Sequence, residues 1–199
     1  MRSEKKTIEK MTVGFGALTL LFFLMNAFLP WDGWFSFFIT AATTFYHFAV
    51  RLLVGAVTRN HCRNLIRAES RWFLPRQWEN RLYEALGVKQ WKNRMPTYFP
   101  KDFSLKEHTP EEVVQNMCIA EVGHEINVIC SFLPLLYSLC QPRLRGEWYI
   151  FAITGILALG ADVPFILMQR YNRPRVLRLQ AAWEKRKQKE GEKNHAVEL

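Results

Sequence analysis

Three ionisable side chains, Glu121, His124 and Glu125, lie within five residues of one another in an otherwise apolar run over residues 118–130. Successive residues of an α-helix are rotated by about 100°, so these side chains fall within one arc of roughly 100°. A histidine beside carboxylates can accept a proton from a hydroxyl nucleophile while a carboxylate orients its ring. We therefore predict a catalytic cluster with His124 as general base, oriented by Glu121 or Glu125.

Two other interpretations of this cluster stay open. Its members could be ligands of a divalent metal, although no second histidine-rich element accompanies them. They could also form a hydrogen-bond network between helices that has no chemical role. The cysteines show no CxxC spacing and indicate neither a zinc site nor a disulfide framework. We predict no bound metal.

Four apolar stretches predict that the cluster lies in a membrane. They are residues 11–30, 35–50, 113–139 and 148–168. A helix rises about 1.5 Å per residue and needs about 20 apolar residues to cross a hydrocarbon core of about 30 Å. We predict an all-α integral membrane bundle with about four transmembrane helices and with interfacial helices on its cytoplasmic side. Ionisable groups inside such a bundle are costly, so they indicate function.

Basic residues predict the orientation of the chain. They occur before the first span, throughout residues 59–110 and after Met168, whereas the turn at residues 31–34 has none. Because Lys and Arg are enriched in cytoplasmic flanks, we predict that both termini and the middle segment are cytoplasmic. The formal net charge of +9 then reflects anionic lipids rather than nucleic acid. The first apolar run is long and lacks a small-residue cleavage site, so we expect a retained anchor rather than a signal peptide.

The chain divides into four predicted segments. Residues 1–58 form a first membrane hairpin, 59–110 a basic and aromatic-rich interfacial segment, 111–178 a second hairpin with the polar cluster, and 179–199 a charged, disordered tail. Within the second segment, the composition of residues 63–74 and 77–86 is typical of interfacial helices. A small subdomain with a core of its own is the alternative. Gly87 should end a helix, and Thr109 should cap the start of the third span, with Pro110 in its first turn.

Other polar residues in the predicted spans are candidate partners of the cluster. His47 and Arg51 lie one helical turn apart on the second span, which is long enough only if both face the interior. Arg51 could neutralise Glu121 or Glu125, or it could extend to the lipid headgroups. Asp162 in the fourth span is expected to face the bundle. We predict that these residues contribute to substrate binding.

An arginine-rich sequence follows the fourth span. The planar guanidinium of arginine fits phosphate and carboxylate groups, so this sequence could hold a phosphate-bearing substrate, or only the lipid headgroups. The candidate substrate-binding residues here are Gln169, Arg170, Tyr171, Asn172, Arg173 and Arg175.

Three elements of the sequence together resemble a known family. In order, they are Tyr83-Glu-Ala-Leu-Gly-Val-Lys-Gln-Trp-Lys-Asn-Arg-Met-Pro96, Glu121-Val-Gly-His124 and Gln169-Arg-Tyr-Asn-Arg-Pro-Arg175. Their combination is similar to the bacterial glycosyl-4,4'-diaponeurosporenoate acyltransferase family, and the similarity extends over about residues 75–178. The resemblance implies a multi-pass enzyme of the bacterial cell membrane that esterifies a glycosylated carotenoid, or another lipid-linked hydroxyl, with a fatty acyl chain. His124 matches the motif histidine and Glu121 the motif carboxylate.

The resemblance leads to a mechanistic hypothesis. A long-chain acyl donor, such as acyl-CoA or acyl carrier protein, arrives from the cytoplasm as co-substrate, and the arginines of the third element hold its phosphate-bearing part. His124, oriented by Glu121, removes the proton of the acceptor hydroxyl, and Tyr171, Asn172 or Arg51 stabilises the oxyanion. Direct transfer is expected rather than an acyl-enzyme intermediate, because no serine or cysteine is paired with His124. We expect no cofactor.

Two other classes of protein stay open. A transporter or assembly factor would use the Glu and His side chains as a proton relay and would form no covalent bond. A membrane reductase or methyltransferase would use the arginine-rich sequence to hold a nucleotide cofactor, although no glycine-rich phosphate loop is present.

Overall fold

The computed structural model describes residues 4–97 and 99–197, and this part of the chain is mostly helical, with no β-strand. The predicted all-α fold is therefore confirmed. The α-helices in chain order are α1 (Glu4–Phe28), α2 (Gly33–Asn60), α3 (Gln77–Ala85), α4 (Val88–Trp91), α5 (Pro110–Ser131), α6 (Leu133–Cys140) and α7 (Trp148–Val197). Short 3-10 helices occur at Arg71–Phe73, Lys92–Arg94, Pro100–Phe103 and Arg145–Glu147.

Four helical stretches are long and apolar enough to cross a membrane. They are Lys5–Phe28, Gly33–Asn60, Pro110–Cys140 and Arg145–Arg186, which correspond to the four predicted spans. Large apolar side chains cover their outer faces, and Leu20, Ile129 and Leu157 are each at least 60% exposed. Apolar patches of this extent are typical of surfaces that contact a membrane or a partner.

Aromatic side chains hold the first hairpin together. The rings of Phe15 and Phe48 stack with their centroids 5.7 Å apart, and the rings of Phe22 and Phe37 lie at 5.5 Å. Such pairs each contribute about 0.5–1.5 kcal/mol beyond the burial of their apolar area. They attach α1 along the side of α2.

The start of α5 is the predicted one. The hydroxyl of Thr109 accepts a hydrogen bond from the Glu112 backbone N–H at 3.3 Å, and the Glu112 carboxylate accepts one from the Thr109 backbone N–H at 2.9 Å. Pro110 occupies the first turn, where its missing N–H has no consequence. The third span is not continuous, because α5 ends at Ser131 and Pro134 lies in the first turn of α6.

Helix α7 packs along α5 and reaches the second helix as well. Near one end of the bundle, Ile150 and Phe151 of α7 form a core with Ile39 of α2. At Gly155 helix α7 approaches the end of α5 closely, since a Cβ atom there would lie 3.1 Å from the backbone oxygen of Ser131. A glycine at this position allows the close contact of α7 with the end of α5.

The middle segment differs from the prediction in its first half. Residues 61–70 form turns and Arg71–Phe73 forms a 3-10 helix, so the helix expected over residues 63–74 is wrong. Its backbone carbonyls have partners elsewhere: the side-chain amide of Gln115 donates to the oxygens of Arg63 and Ile66 at 3.0 and 2.5 Å. The helix expected over residues 77–86 is confirmed as α3, and Gly87 follows it in the left-handed region at φ +60°.

The charged tail also differs from the prediction. The structure continues α7 through Val197, where the sequence leads us to expect a disordered tail from residue 179. This stretch is rich in Ala, Glu, Lys, Arg and Gln, which all favour helix, and Gln180 bonds to Glu184 one turn later at 3.1 Å. Residues 198 and 199 lie outside the described range.

Candidate active site

A cavity of about 650 Å³ lies between α2, α5 and α7. Four of the residues selected from the sequence line it, namely His124, Arg51, Asp162 and Gln169. They come from three different helices, so the fold brings together groups that are up to about 120 positions apart in the chain. We refer to this space as the central cavity.

A histidine and an aspartate form a hydrogen-bonded pair at the wall of the central cavity. Nδ1 of His124 lies 2.9 Å from Oδ1 of Asp162, whose side chain is 3% exposed. We assign the ring proton to Nδ1 because its partner is a carboxylate, which leaves the lone pair of Nε2 free to accept a proton. The ring of Phe165 stacks on the imidazole, with the ring centroids 4.7 Å apart and an interplanar angle of 4°, which fixes the plane of the imidazole.

Arg51 neutralises the aspartate of this pair. Its guanidinium forms an ion pair with Oδ2 of Asp162 and donates two further hydrogen bonds of 2.8 Å, to the backbone oxygens of His47 and Ala158. A buried ion pair is tolerated when its remaining donors are satisfied in this way. The prediction that Asp162 faces the bundle is confirmed. The two proposed fates of Arg51, pairing with a glutamate of α5 or extension to the headgroups, are both wrong.

Glu121 takes part in a different group of charges. Its Oε1 accepts a hydrogen bond from Nε of Arg170 at 2.7 Å, and its Oε2 pairs with Arg173. Arg170 also donates to Oε1 of Glu79 at 2.5 Å. We call these four residues the ion cluster. Glu121 is fully buried, Arg173 is 2% exposed and Glu79 is 3% exposed, so the two carboxylates and two guanidiniums balance each other away from solvent.

The ion cluster attaches the middle segment to the membrane helices. Arg170 donates to the backbone oxygen of Trp72 at 2.8 Å, and Arg173 donates to that of Phe73 at 3.0 Å. The hydroxyl of Tyr83 donates to Glu79 at 3.0 Å. Burial, together with this hydrogen bond, raises the pKa of Tyr83, so the phenol keeps the proton that it donates. The cluster therefore joins the 3-10 helix at Arg71–Phe73 and α3 to α5 and α7.

The structure separates the three residues that the sequence placed in one cluster. Glu121 binds arginines of α7, His124 binds Asp162, and Glu125 accepts bonds of 3.0 and 3.1 Å from the indole N–H of Trp72. The predicted orientation of His124 by a glutamate of its own helix is wrong, because both glutamates have partners on other elements. The aspartate of α7 takes that role.

The arginine-rich sequence is mostly not available to a substrate. Its first two arginines, Arg170 and Arg173, belong to the ion cluster, where their guanidiniums are paired with carboxylates and not directed into the central cavity. Tyr171 packs edge-on against Tyr83 at 5.4 Å, and Asn172 accepts a hydrogen bond from Lys92. Burial lowers the pKa of Lys92, with a smaller effect from Arg175. Arg175 itself is exposed and lies outside the lining of the central cavity.

The remaining predicted residue, His47, is buried on α2 and is also outside the cavity lining. Its Nε2 is enclosed and has no hydrogen-bond partner within the described chain. Its backbone oxygen nevertheless contributes to the site by accepting the bond from Arg51. A direct contact of the His47 ring with a substrate in the cavity is therefore not supported by the geometry.

Sequence reasoning missed several residues of the central cavity. Asn127 donates to Oδ1 of Asp162 at 3.4 Å and lies three residues after His124, a spacing that could have identified it. Lys5, Arg59 and Arg63 also line the cavity, although their positions in the sequence indicate only the orientation of the chain. Within the described residues, no group of three or more His, Cys, Asp or Glu side chains is arranged to hold a metal.

Comparison with known proteins gives matches of one kind. A family model described as glycosyl-4,4'-diaponeurosporenoate acyltransferase matches residues 69–182. Proteins of that name from Staphylococcus aureus strains USA300 and NCTC 8325 are 28% identical over 110 residues, which is 55% of this chain. The chain spans 59% of the length of these relatives. No solved structure matches. The matched range contains His124, Asp162 and the whole ion cluster, whereas α1 and α2 precede it.

Proposed function

Because this chain belongs to the glycosyl-4,4'-diaponeurosporenoate acyltransferase family, we propose that it is a membrane-embedded O-acyltransferase that moves a fatty acyl chain to a hydroxyl of a glycosylated or other lipid-linked acceptor. The pair formed by His124 and Asp162 at the wall of the central cavity carries this proposal. The pair provides an oriented base next to a space that is large enough for a substrate. A glycosylated carotenoid is the acceptor suggested by the name of the relatives.

In the proposed reaction, Nε2 of His124 accepts the proton of the acceptor hydroxyl while that oxygen attacks the carbonyl carbon of an acyl thioester. A C–O bond forms, the C–S bond breaks, and the imidazolium returns the proton to the departing thiolate. Asp162 stabilises the imidazolium, and Arg51 holds Asp162 in position. Transfer is direct, with an acyl-CoA or an acyl carrier protein as donor and no further cofactor.

Basic side chains provide a place for the phosphate-bearing part of that donor. Lys5, Arg59 and Arg63 line the central cavity near the start of α1 and the end of α2. Arg59 is held by Asp102 at 3.2 Å, and its guanidinium lies 3.8 Å from the ring centroid of Phe99. We call these three basic residues the mouth. In this proposal the mouth, rather than the arginines of the ion cluster, binds the phosphate groups of the donor.

The mouth leads to a prediction about donor affinity. The double variant Arg59→Gln, Arg63→Gln should raise KM for acyl-CoA by about tenfold, which corresponds to about 1.4 kcal/mol, with little change in kcat. The effect should weaken at high salt, because it is electrostatic. Arg175→Gln is the matched control, since this arginine is exposed outside the cavity. If the control raised KM and the double variant did not, the donor would bind at the arginine-rich sequence instead.

The acyl-transfer proposal is tested by mass spectrometry of lipids from cells with and without the protein. We expect new lipids that are heavier by one esterified acyl chain. A difference of one methyl group or two hydrogens would indicate a methyltransferase or reductase, and an unchanged lipid profile would favour a transporter or assembly factor.

We also propose that the mouth and both termini face the cytoplasm of a bacterium, because the basic residues gather at that end. Consumption of added acyl-CoA by sealed membrane vesicles tests this orientation. Acyl-CoA does not cross bilayers, so inside-out vesicles should consume added donor without detergent. Right-side-out vesicles should react only after permeabilisation, and the reverse result would place the mouth outside.

A further inference from the structure

The mechanism above still requires a group that stabilises the oxyanion. The negative charge that develops on the thioester oxygen needs a hydrogen-bond donor that is already in place. Arg51, one residue expected for this role, uses its guanidinium to bind Asp162 and two backbone oxygens. The other two, Tyr171 and Asn172, are outside the cavity lining.

Gln169 has a side-chain amide that is available for this task. The residue lines the central cavity and is 5% exposed. Within the described part of the chain its amide forms no hydrogen bond. The amide atoms are nevertheless not fully enclosed by protein. The amide is therefore held among protein groups but stays open to the cavity. A buried polar group without a partner costs about 1–3 kcal/mol, which a bound ligand can offset.

The position of Gln169 on α7 also suits the reaction. Asp162, Phe165 and Gln169 are spaced by three and four residues, so they lie along one face of the helix. Asp162 binds the imidazole of His124 and Phe165 stacks on it, which places the base against this face. The contacts of Ile39 with Ile150 and of Arg51 with Asp162 show that α2 and α7 run in the same direction. Gln169, one turn after Phe165, is therefore displaced from the base toward the end of α2, where the mouth lies. A thioester reaching from the mouth to His124 passes this amide.

We propose that the side-chain amide of Gln169 donates a hydrogen bond to the thioester carbonyl oxygen and stabilises the oxyanion during acyl transfer. This inference rests on the proposed function. An amide N–H forms a stronger hydrogen bond to a negatively charged oxygen than to a neutral carbonyl oxygen. The contact therefore stabilises the transition state more than the bound substrate, which lowers the barrier. Gln169 is thereby a catalytic residue, together with His124.

The test is a kinetic comparison of purified Gln169→Ala and Gln169→Glu with the wild-type enzyme. Each variant should lower kcat by about 10²–10³-fold with little change in KM for either substrate, because removal of one oxyanion donor has an effect of this size. Gln169→Glu preserves the shape of the side chain but loses the donor. Gln180→Ala is the control, since Gln180 lies on the same helix outside the cavity lining and its amide already donates to Glu184 at 3.1 Å.

A second measurement separates this role from loss of fold. In an acyl dithioester a sulfur replaces the carbonyl oxygen and accepts hydrogen bonds poorly, so the wild-type enzyme should lose much of its rate with this donor. The Gln169 variants should lose little further rate with the dithioester, because the hydrogen bond that the sulfur weakens is already absent in them. A raised KM for the acceptor with unchanged kcat, or an undiminished dithioester effect, would overturn the inference. A wild-type protein that transfers no acyl group would instead overturn the proposed function.

Discussion

His124→Gln should lower the rate of acyl transfer by about 10²–10⁴-fold, the usual contribution of a general base. Glutamine is close in size to histidine and can still donate a hydrogen bond to Asp162, which is 2.9 Å from Nδ1 in the native pair. It has no group that accepts a proton near neutral pH. The protein should therefore stay folded while the acceptor hydroxyl reacts without a base.

The measurement is kcat for ester formation by purified protein, with the melting temperature in detergent as a check on the fold. Glu125→Gln is the matched control, because Glu125 follows His124 directly but binds the Trp72 indole instead of the aspartate. The control should keep the wild-type rate. Unchanged turnover of His124→Gln would remove the imidazole from the mechanism.

Glu121→Ala should have the largest effect on stability. The substitution leaves the buried Arg173 without its carboxylate partner and leaves Arg170 with Glu79 alone. Loss of one partner of a buried ion pair costs about 3–5 kcal/mol, since the remaining charge is uncompensated. We expect a strongly lowered melting temperature and faster proteolysis around Trp72, which the cluster holds through a backbone hydrogen bond of 2.8 Å.

This result separates the two roles that have been considered for Glu121. Glu125→Ala is the control, because that carboxylate is partly exposed and binds one indole. It should melt close to the wild-type temperature. If Glu121→Ala melted like the wild type and lost only its activity, the glutamate would act in catalysis, as the sequence predicted, and the structural role of the ion cluster would be wrong.

The sequence predicts the elements of this protein better than it predicts their contacts. Each apolar run is long enough to identify a span by itself, and the capping box at Thr109 and the turn at Gly87 are local signals that the structure confirms. The turns at residues 61–70 depend instead on Gln115, a residue about 50 positions away, which no local pattern contains.

The contacts within the candidate active site also depend on residues that no local sequence pattern contains. The helical angles of Glu121 and His124 place both side chains on one face of α5, but an arc of about 100° is wide enough to meet two different neighbours. Which neighbour each side chain meets depends on how α7 and the middle segment pack. The sequence predicts that Asp162 is an interior residue, yet its pairing with His124 does not follow from spacing within either helix.

The pairing of Arg51 with Asp162 has a consequence for how the protein is made. Each residue carries a charge into a helix that enters the bilayer, at a cost of about 2.5–3.5 kcal/mol near its centre. The arginine belongs to the first hairpin and the aspartate to the second, so each hairpin carries an unpaired charge until the two hairpins pack together. Mutual neutralisation favours the docking of the two hairpins, and the same contact fixes the carboxylate that binds the imidazole of His124. The two positions should consequently change together in evolution.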